Sequence, residues 1–252
     1  MKLANKVALV TGAARGNGLG IALTMAREGA DIALVDLSLA KVTEAAQQIT
    51  ALGRRCVPIE ADAGDEASIR RMLGETIEKL GKLDIIVNNA GVFPFKPIEQ
   101  FTLAEFQKVL QVNVTGPWLI VKHALPELKK NRGAVVNITS CSGHFGGASV
   151  GGSAYDTSKA ALRQMTTSLA VELGPYGIRL NAIAPGVIIT EGMGGQAFAE
   201  SQGGKNEIAR TPLRRLGLPA DVGNVAAFLA SDEAAFVTGI TVVLDGGAMA
   251  GW

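Results

Sequence analysis

The chain has 252 residues, 48% of them hydrophobic, which is long enough to enclose one large apolar core. Its 24 basic and 23 acidic residues leave a net charge of +1 with no run of like charges, so neither a nucleic-acid surface nor an acidic tail is indicated. Cys56 and Cys141 are too few for a disulfide framework and fit reduced thiols in a cytoplasmic protein.

In chain order, short aliphatic runs alternate with longer amphipathic stretches. The first run, residues 7–10, meets glycines too soon for a signal peptide and is expected as a strand. Further strands are expected at 32–35, 56–59, 83–87, 134–138, 178–183 and 241–244. Between them the spacing predicts helices at 18–28, 40–52, 66–80, 102–112, 117–130, 155–173 and 220–230. Several strands are almost continuously apolar, as in a parallel sheet covered on both faces. The expected fold is therefore α/β, a doubly wound Rossmann sheet of about seven strands in one domain over residues 1–252. No window of about 18 apolar residues predicts a membrane span. The rhythm breaks at residues 188–215, which are rich in glycine and polar residues. A long connection of this kind is expected to be a mobile lid at the substrate end, with a short helix around 196–201.

Three features carry chemistry. The first strand runs into Thr11-Gly-Ala-Ala-Arg-Gly-Asn-Gly18, whose Gly12, Gly16 and Gly18 allow a tight turn. Such a turn brings the amides of Arg15, Gly16 and Asn17 to a pyrophosphate at a helix N-terminus. Asp36 closes the second strand, followed by Leu37; an acid there binds ribose hydroxyls and repels a 2′-phosphate, favouring NAD over NADP. Arg15 argues the other way, because a guanidinium could grip that phosphate. Finally, Tyr155 and Lys159 sit at i and i+4, on one face of a helix. A cation fixed beside a phenol favours the phenolate, making Tyr155 a candidate acid/base for an alcohol oxygen. A single Tyr-x-x-x-Lys is a short motif that chance readily supplies, so it needs the other two.

Together with Asn88-Asn-Ala-Gly91, Asn113, Ser140 and Pro185-Gly-x-x-x-Thr190, these motifs stand in the order and spacing of the short-chain dehydrogenase/reductases, which the chain resembles over its whole length. The resemblance implies hydride transfer between a nicotinamide and a secondary alcohol or ketone. It implies Ser140 as hydrogen-bond donor to the substrate oxygen, Tyr155 as acid/base, Lys159 on the nicotinamide ribose, and Asn113 as anchor of a proton-relay water. For the cofactor it implies Asp62 and Ala63 at the adenine. Asn89, Ala90 and Gly91 would form the cofactor bed, and Pro185, Gly186, Ile188 and Thr190 would lie at the carboxamide. It also implies a homotetramer, with residues 117–130 and 155–173 at one interface and the C-terminal region, through Trp252, at another.

Departures from the pattern are Asn17 in place of an aliphatic residue and a loop lengthened by glycines between 146 and 152. That loop makes Ser142 a rival to Ser140, since it stands at the spacing from Tyr155 common in the family. Strand-end geometry favours Ser140, because loop length is free to vary. Phe93 and Phe95, with Ser142 and His144, are candidate substrate contacts, suggesting an apolar or aromatic molecule with no obvious Arg or Lys to pair an anion. Cys141 is expected to be an inert buried thiol. His123 and His144 have no ligand-spaced partners, so no metal site is indicated. Alternatives are an NADPH-dependent reductase of 3-oxoacyl or other biosynthetic ketones, and a dinucleotide-binding protein without catalysis.

Overall fold

The computed structural model describes residues 1–145 and 151–251. Of the glycines expected to lengthen the loop after Ser140, Gly146 and Gly147 lie, with the rest of 146–150 and Trp252, outside the described residues. Seven strands form: β1 Val7–Thr11, β2 Asp31–Asp36, β3 Cys56–Glu60, β4 Ile85–Asn88, β5 Ala134–Ile138, β6 Arg179–Pro185 and β7 Thr241–Leu244. They make one parallel sheet in the order β3-β2-β1-β4-β5-β6-β7. The order reverses between β1 and β4, where two strands leave in opposite directions and open a crevice at their carboxyl ends.

The helices are α1 Gly16–Arg27, α2 Leu39–Thr50, α3 Glu66–Leu80, α4 Leu103–Leu110, α5 Gly116–Asn131, α6 Ser153–Leu173, α7 Gly195–Glu200, α8 Gln202–Arg210 and α9 Pro219–Ala230. Alternate strand residues serve opposite layers. Ala8 and Val10 join α1, α2 and α9 in one core, whereas Val7 and Leu9 join α3, α5 and α6 in the other. Each fully buried side chain such as Leu9 or Ile86 contributes roughly 1.5–3 kcal/mol by leaving water.

Local chemistry sets the boundaries. Asp65 caps α3 by accepting from Ser68 N–H at 2.7 Å, and Thr102 with Glu105 forms a capping box at α4. The helix expected over 102–112 ends sooner, because Gln111–Thr115 forms one turn of π-helix before α5. The region around 188–215 carries two helices, α7 and α8, where one was expected. No helix among the described residues is long and apolar enough to cross a membrane.

Candidate active site

At the crevice, β1 turns directly into α1. Gly12 and Gly16 have φ of 63° and 59°, conformations that L side chains seldom adopt. Gly18 answers a different demand: a Cβ there would fall 2.2 Å from Gly12 O. It does not line the cavity; it lets the turn fold back on itself. The Thr11 hydroxyl accepts from Asn89 N–H and Ala90 N–H, each at 3.1 Å, and Asn89 Nδ2 donates to Thr11 O and Gly12 O at 2.9 and 3.0 Å. These bonds fix the glycine turn to the end of β4. Asp36 ends β2, and its two carboxylate oxygens accept from Ala14 N–H at 3.0 Å and Leu37 N–H at 2.8 Å.

A single cavity of about 1370 Å³ runs from this end to the catalytic candidates. Its lining takes in Gly12, Arg15, Gly16 and Asn17; Asp36, Leu37, Asp62 and Ala63; and Asn89, Ala90 and Gly91. Beyond them it is lined by Phe93, Phe95, Ser140, Ser142, Tyr155 and Lys159, then by Pro185, Gly186, Ile188 and Thr190. Residues widely separated in sequence thus meet in one space, with the apolar rings of Phe93 and Phe95 lying 6.3 and 6.0 Å from the Tyr155 ring, centroid to centroid.

At the far end, α6 presents Tyr155 and Lys159 together. Lys159 Nζ lies 5.6 Å from the Tyr155 ring centroid and donates to Ile138 O at 2.8 Å. Burial lowers the Lys159 pKa to about 8. Burial also pushes the Tyr155 phenol above its ordinary value, while hydrogen bonding by Ser140 works in the opposite direction. The phenol acidity expected from the neighbouring lysine is therefore not what this arrangement yields, because desolvation outweighs the other influences. Ser140 sits just past β5; its Oγ accepts from Ser142 N–H at 3.2 Å and lies 3.0 Å from Ser142 Oγ, so the two rival serines touch. Asn113, buried in the π-turn, accepts from Val92 N–H at 2.9 Å and donates to Val92 O and Ser158 Oγ at 2.9 and 3.0 Å. It clamps the chain after β4 from behind the cavity wall, with both amide hydrogens and one lone pair of its oxygen used there.

Two further sequence expectations are corrected. His144 is not among the cavity-lining residues; its Nε2 is buried without a hydrogen-bond partner among the described residues, and burial, then nearby Arg163, lowers its pKa. Second, cations do reach the cavity: besides Arg15 and Lys159, the lining includes Lys108 and, from the 188–215 segment, Arg210 and Arg215. Arg215 is committed to Asp221, through bonds of 2.6 and 3.0 Å. These arginines were hidden because only the folded path of a long connection returns them to the crevice. The connection also touches the glycine turn directly, where Gly16 N–H donates to Glu191 Oε2 at 3.1 Å.

Cys141 is buried, donates to Ala184 O at 3.3 Å and has its thiol pKa raised to about 12 by burial and then Asp245, in keeping with an inert thiol. His123 pairs with Glu66 at 2.7 Å, away from the cavity. Among the described residues, no cluster of His, Cys, Asp and Glu could hold a metal ion.

A family model described as enoyl-(acyl carrier protein) reductase matches residues 12–249. The chain is 40% identical to the oxidoreductase UcpA of Escherichia coli strain K12, covering 98% of this chain and 95% of that one. It superimposes on a short-chain type dehydrogenase/reductase from Mycobacterium marinum with a TM-score of 0.91 at 33% identity, covering 98% and 96% of the two chains. A blue fluorescent protein from a metagenomic library, solved with NADPH, superimposes at 0.90 with 34% identity, covering 98% and 99%.

Proposed function

The chain belongs to the short-chain dehydrogenase/reductase family, and from that premise we propose that it is an NAD-linked enzyme interconverting a secondary alcohol and a ketone. The observation that carries this reading is one continuous cavity with Asp36 at one end and Ser140, Tyr155 and Lys159 at the other. The residues present fit a dinucleotide: Gly12, Arg15, Gly16 and Asn17 line the cavity at the start of α1, where a pyrophosphate would lie, and Asp36 offers a carboxylate where a ribose would lie. When bound, the nicotinamide supplies hydride acceptance or donation.

The chain's own groups do the rest. Asp36 uses one lone pair of each oxygen on a backbone amide and keeps others for ribose hydroxyls, while its charge disfavours a 2′-phosphate. Asp62 and Ala63 would lie at the adenine, and residues 185–190 at the carboxamide. Lys159, held by Ile138 O, would donate to the nicotinamide ribose. Tyr155 would exchange the alcohol proton, with Ser140 donating to the same oxygen. Asn113 holds the wall that carries Val92, and both its amide hydrogens are used, so a water it anchors would donate to one of its oxygens. Residues 188–215 form the lid, resting on the glycine turn through Glu191.

Phe93 and Phe95 beside Tyr155 favour an apolar or aromatic carbon skeleton. One observation favours a second reading, an NADPH-linked reductase of 3-oxoacyl or similar ketones: Arg15 is exposed at the cavity lining, able to meet a 2′-phosphate. Comparing kcat/KM with NAD and NADP on an alcohol panel separates the two. A preference for NADP would replace the first reading with the second, and binding without turnover on any alcohol or ketone would remove both.

A further inference from the structure

We propose that Ser142 is a positioning residue whose hydroxyl donates to Ser140 Oγ and aims the single hydrogen of Ser140 at the reacting oxygen. The inference rests on the catalytic role proposed above for Ser140.

The geometry is local and rigid. Cys141–Gly143 form one tight helical turn, with Gly143 N–H donating to Ser140 O at 3.0 Å. The turn is pressed against α6 where it carries Lys159: a Cβ on Gly143 would lie 2.9 Å from the Lys159 carbonyl carbon and from Ala160 N. Ser142 N–H, which can only donate, fills one lone pair of Ser140 Oγ at 3.2 Å. The Ser142 hydroxyl stands 3.0 Å from the same oxygen and makes no other hydrogen bond among the described residues.

A hydroxyl pair can run in either direction. If Ser140 donated to Ser142, its one hydrogen would be spent inside the turn. It would then have nothing to offer a substrate oxygen. If Ser142 donates, both lone pairs of Ser140 are filled from behind and its hydrogen is left for the cavity side, where Tyr155 stands. The chain Ser142 O–H, Ser140 O–H, reacting oxygen then polarises along its length, strengthening the last bond. Ser142 is thus neither the rival catalytic serine nor a bystander.

Steady-state kinetics of Ser142→Ala, Ser140→Ala and the double variant test this. With NAD and an accepted alcohol, Ser142→Ala should lower kcat roughly 3- to 10-fold, the scale of one hydrogen bond, with KM for NAD unchanged. Its kcat–pH profile should move to higher pH, because the phenolate of Tyr155 is less well stabilised. Ser142→Thr, which keeps the hydroxyl, should restore both. In the Ser140→Ala background, Ser142→Ala should cost nothing further. Turnover unchanged or raised in Ser142→Ala would mean that the pair runs the other way, and an equal loss in both backgrounds would mean that Ser142 acts independently; each overturns the proposal. Wild-type turnover in Ser140→Ala would overturn the catalytic role of Ser140 itself, a failure distinct from these.

Discussion

Lys159 is only 4% exposed, and burial brings its pKa from 10.5 to about 8. The folded protein therefore binds fewer protons at this site than the unfolded chain between those values, and its stability rises with pH through that window. Holding the ammonium charged in the fold at pH 7 costs about 3 kcal/mol, of which about 2 kcal/mol is relieved by pH 9.5. Lys159→Met removes the titration while keeping the length of the side chain. It also leaves Ile138 O without its donor, a loss of about 1–3 kcal/mol that does not depend on pH. The test is urea unfolding of both proteins at the two pH values. The wild type should gain about 2 kcal/mol on the variant between pH 7 and pH 9.5, whatever the sign of the starting difference. The variant should also be inactive. A stability difference that does not change with pH would refute the claim that the site holds a desolvated cation.

Three further outcomes follow from the same geometry. Asp36→Ser removes the carboxylate proposed to meet the cofactor ribose, and the ratio of kcat/KM for NADP to that for NAD should rise at least about tenfold, read at the nicotinamide absorbance. Gly18→Ala places a methyl 2.2 Å from Gly12 O, which the backbone must move to accept; stability should fall by roughly 1–3 kcal/mol and NAD affinity with it, measured by thermal shift and titration. Trp118 on α5, Val171 on α6 and Val243 on β7 are exposed apolar residues on the elements assigned to subunit contacts, and sedimentation should show a tetramer; a monomer would remove that assignment.

The seven strands were readable because each is a short aliphatic run bounded by turn residues, and in β1, β2, β4, β5 and β6 burial on both faces leaves no alternation to confuse them. The glycine turn, Asp36 and the Tyr155–Lys159 pair were readable because their spacing is local. Other features depend on where the chain goes. Residues 202–210 contain adjacent glycines that hide a helix. It forms because Ser201 caps it, accepting from Gly204 N–H at 3.2 Å, and because Gly204 passes where a Cβ would lie 2.2 Å from Phe198 O. The π-turn that buries Asn113 has no sequence signature. His144 was assigned to the cavity by its nearness to Ser140 in sequence, but the tight turn at 141–143 carries it away from the lining. The acidity of Tyr155 was inferred from a charge at helical spacing, yet burial of the pair outweighs it.

The central claim is that Tyr155 moves the proton while a nicotinamide takes or gives the hydride. It is tested most directly by single-turnover absorbance of wild type and Tyr155→Phe with saturating NAD and an alcohol that the wild type oxidises. Tyr155→Phe keeps the ring against Phe93 and Phe95 and should bind NAD as the wild type does, while hydride transfer slows by about 10²- to 10⁴-fold. Transfer at near wild-type rate in Tyr155→Phe would contradict the account.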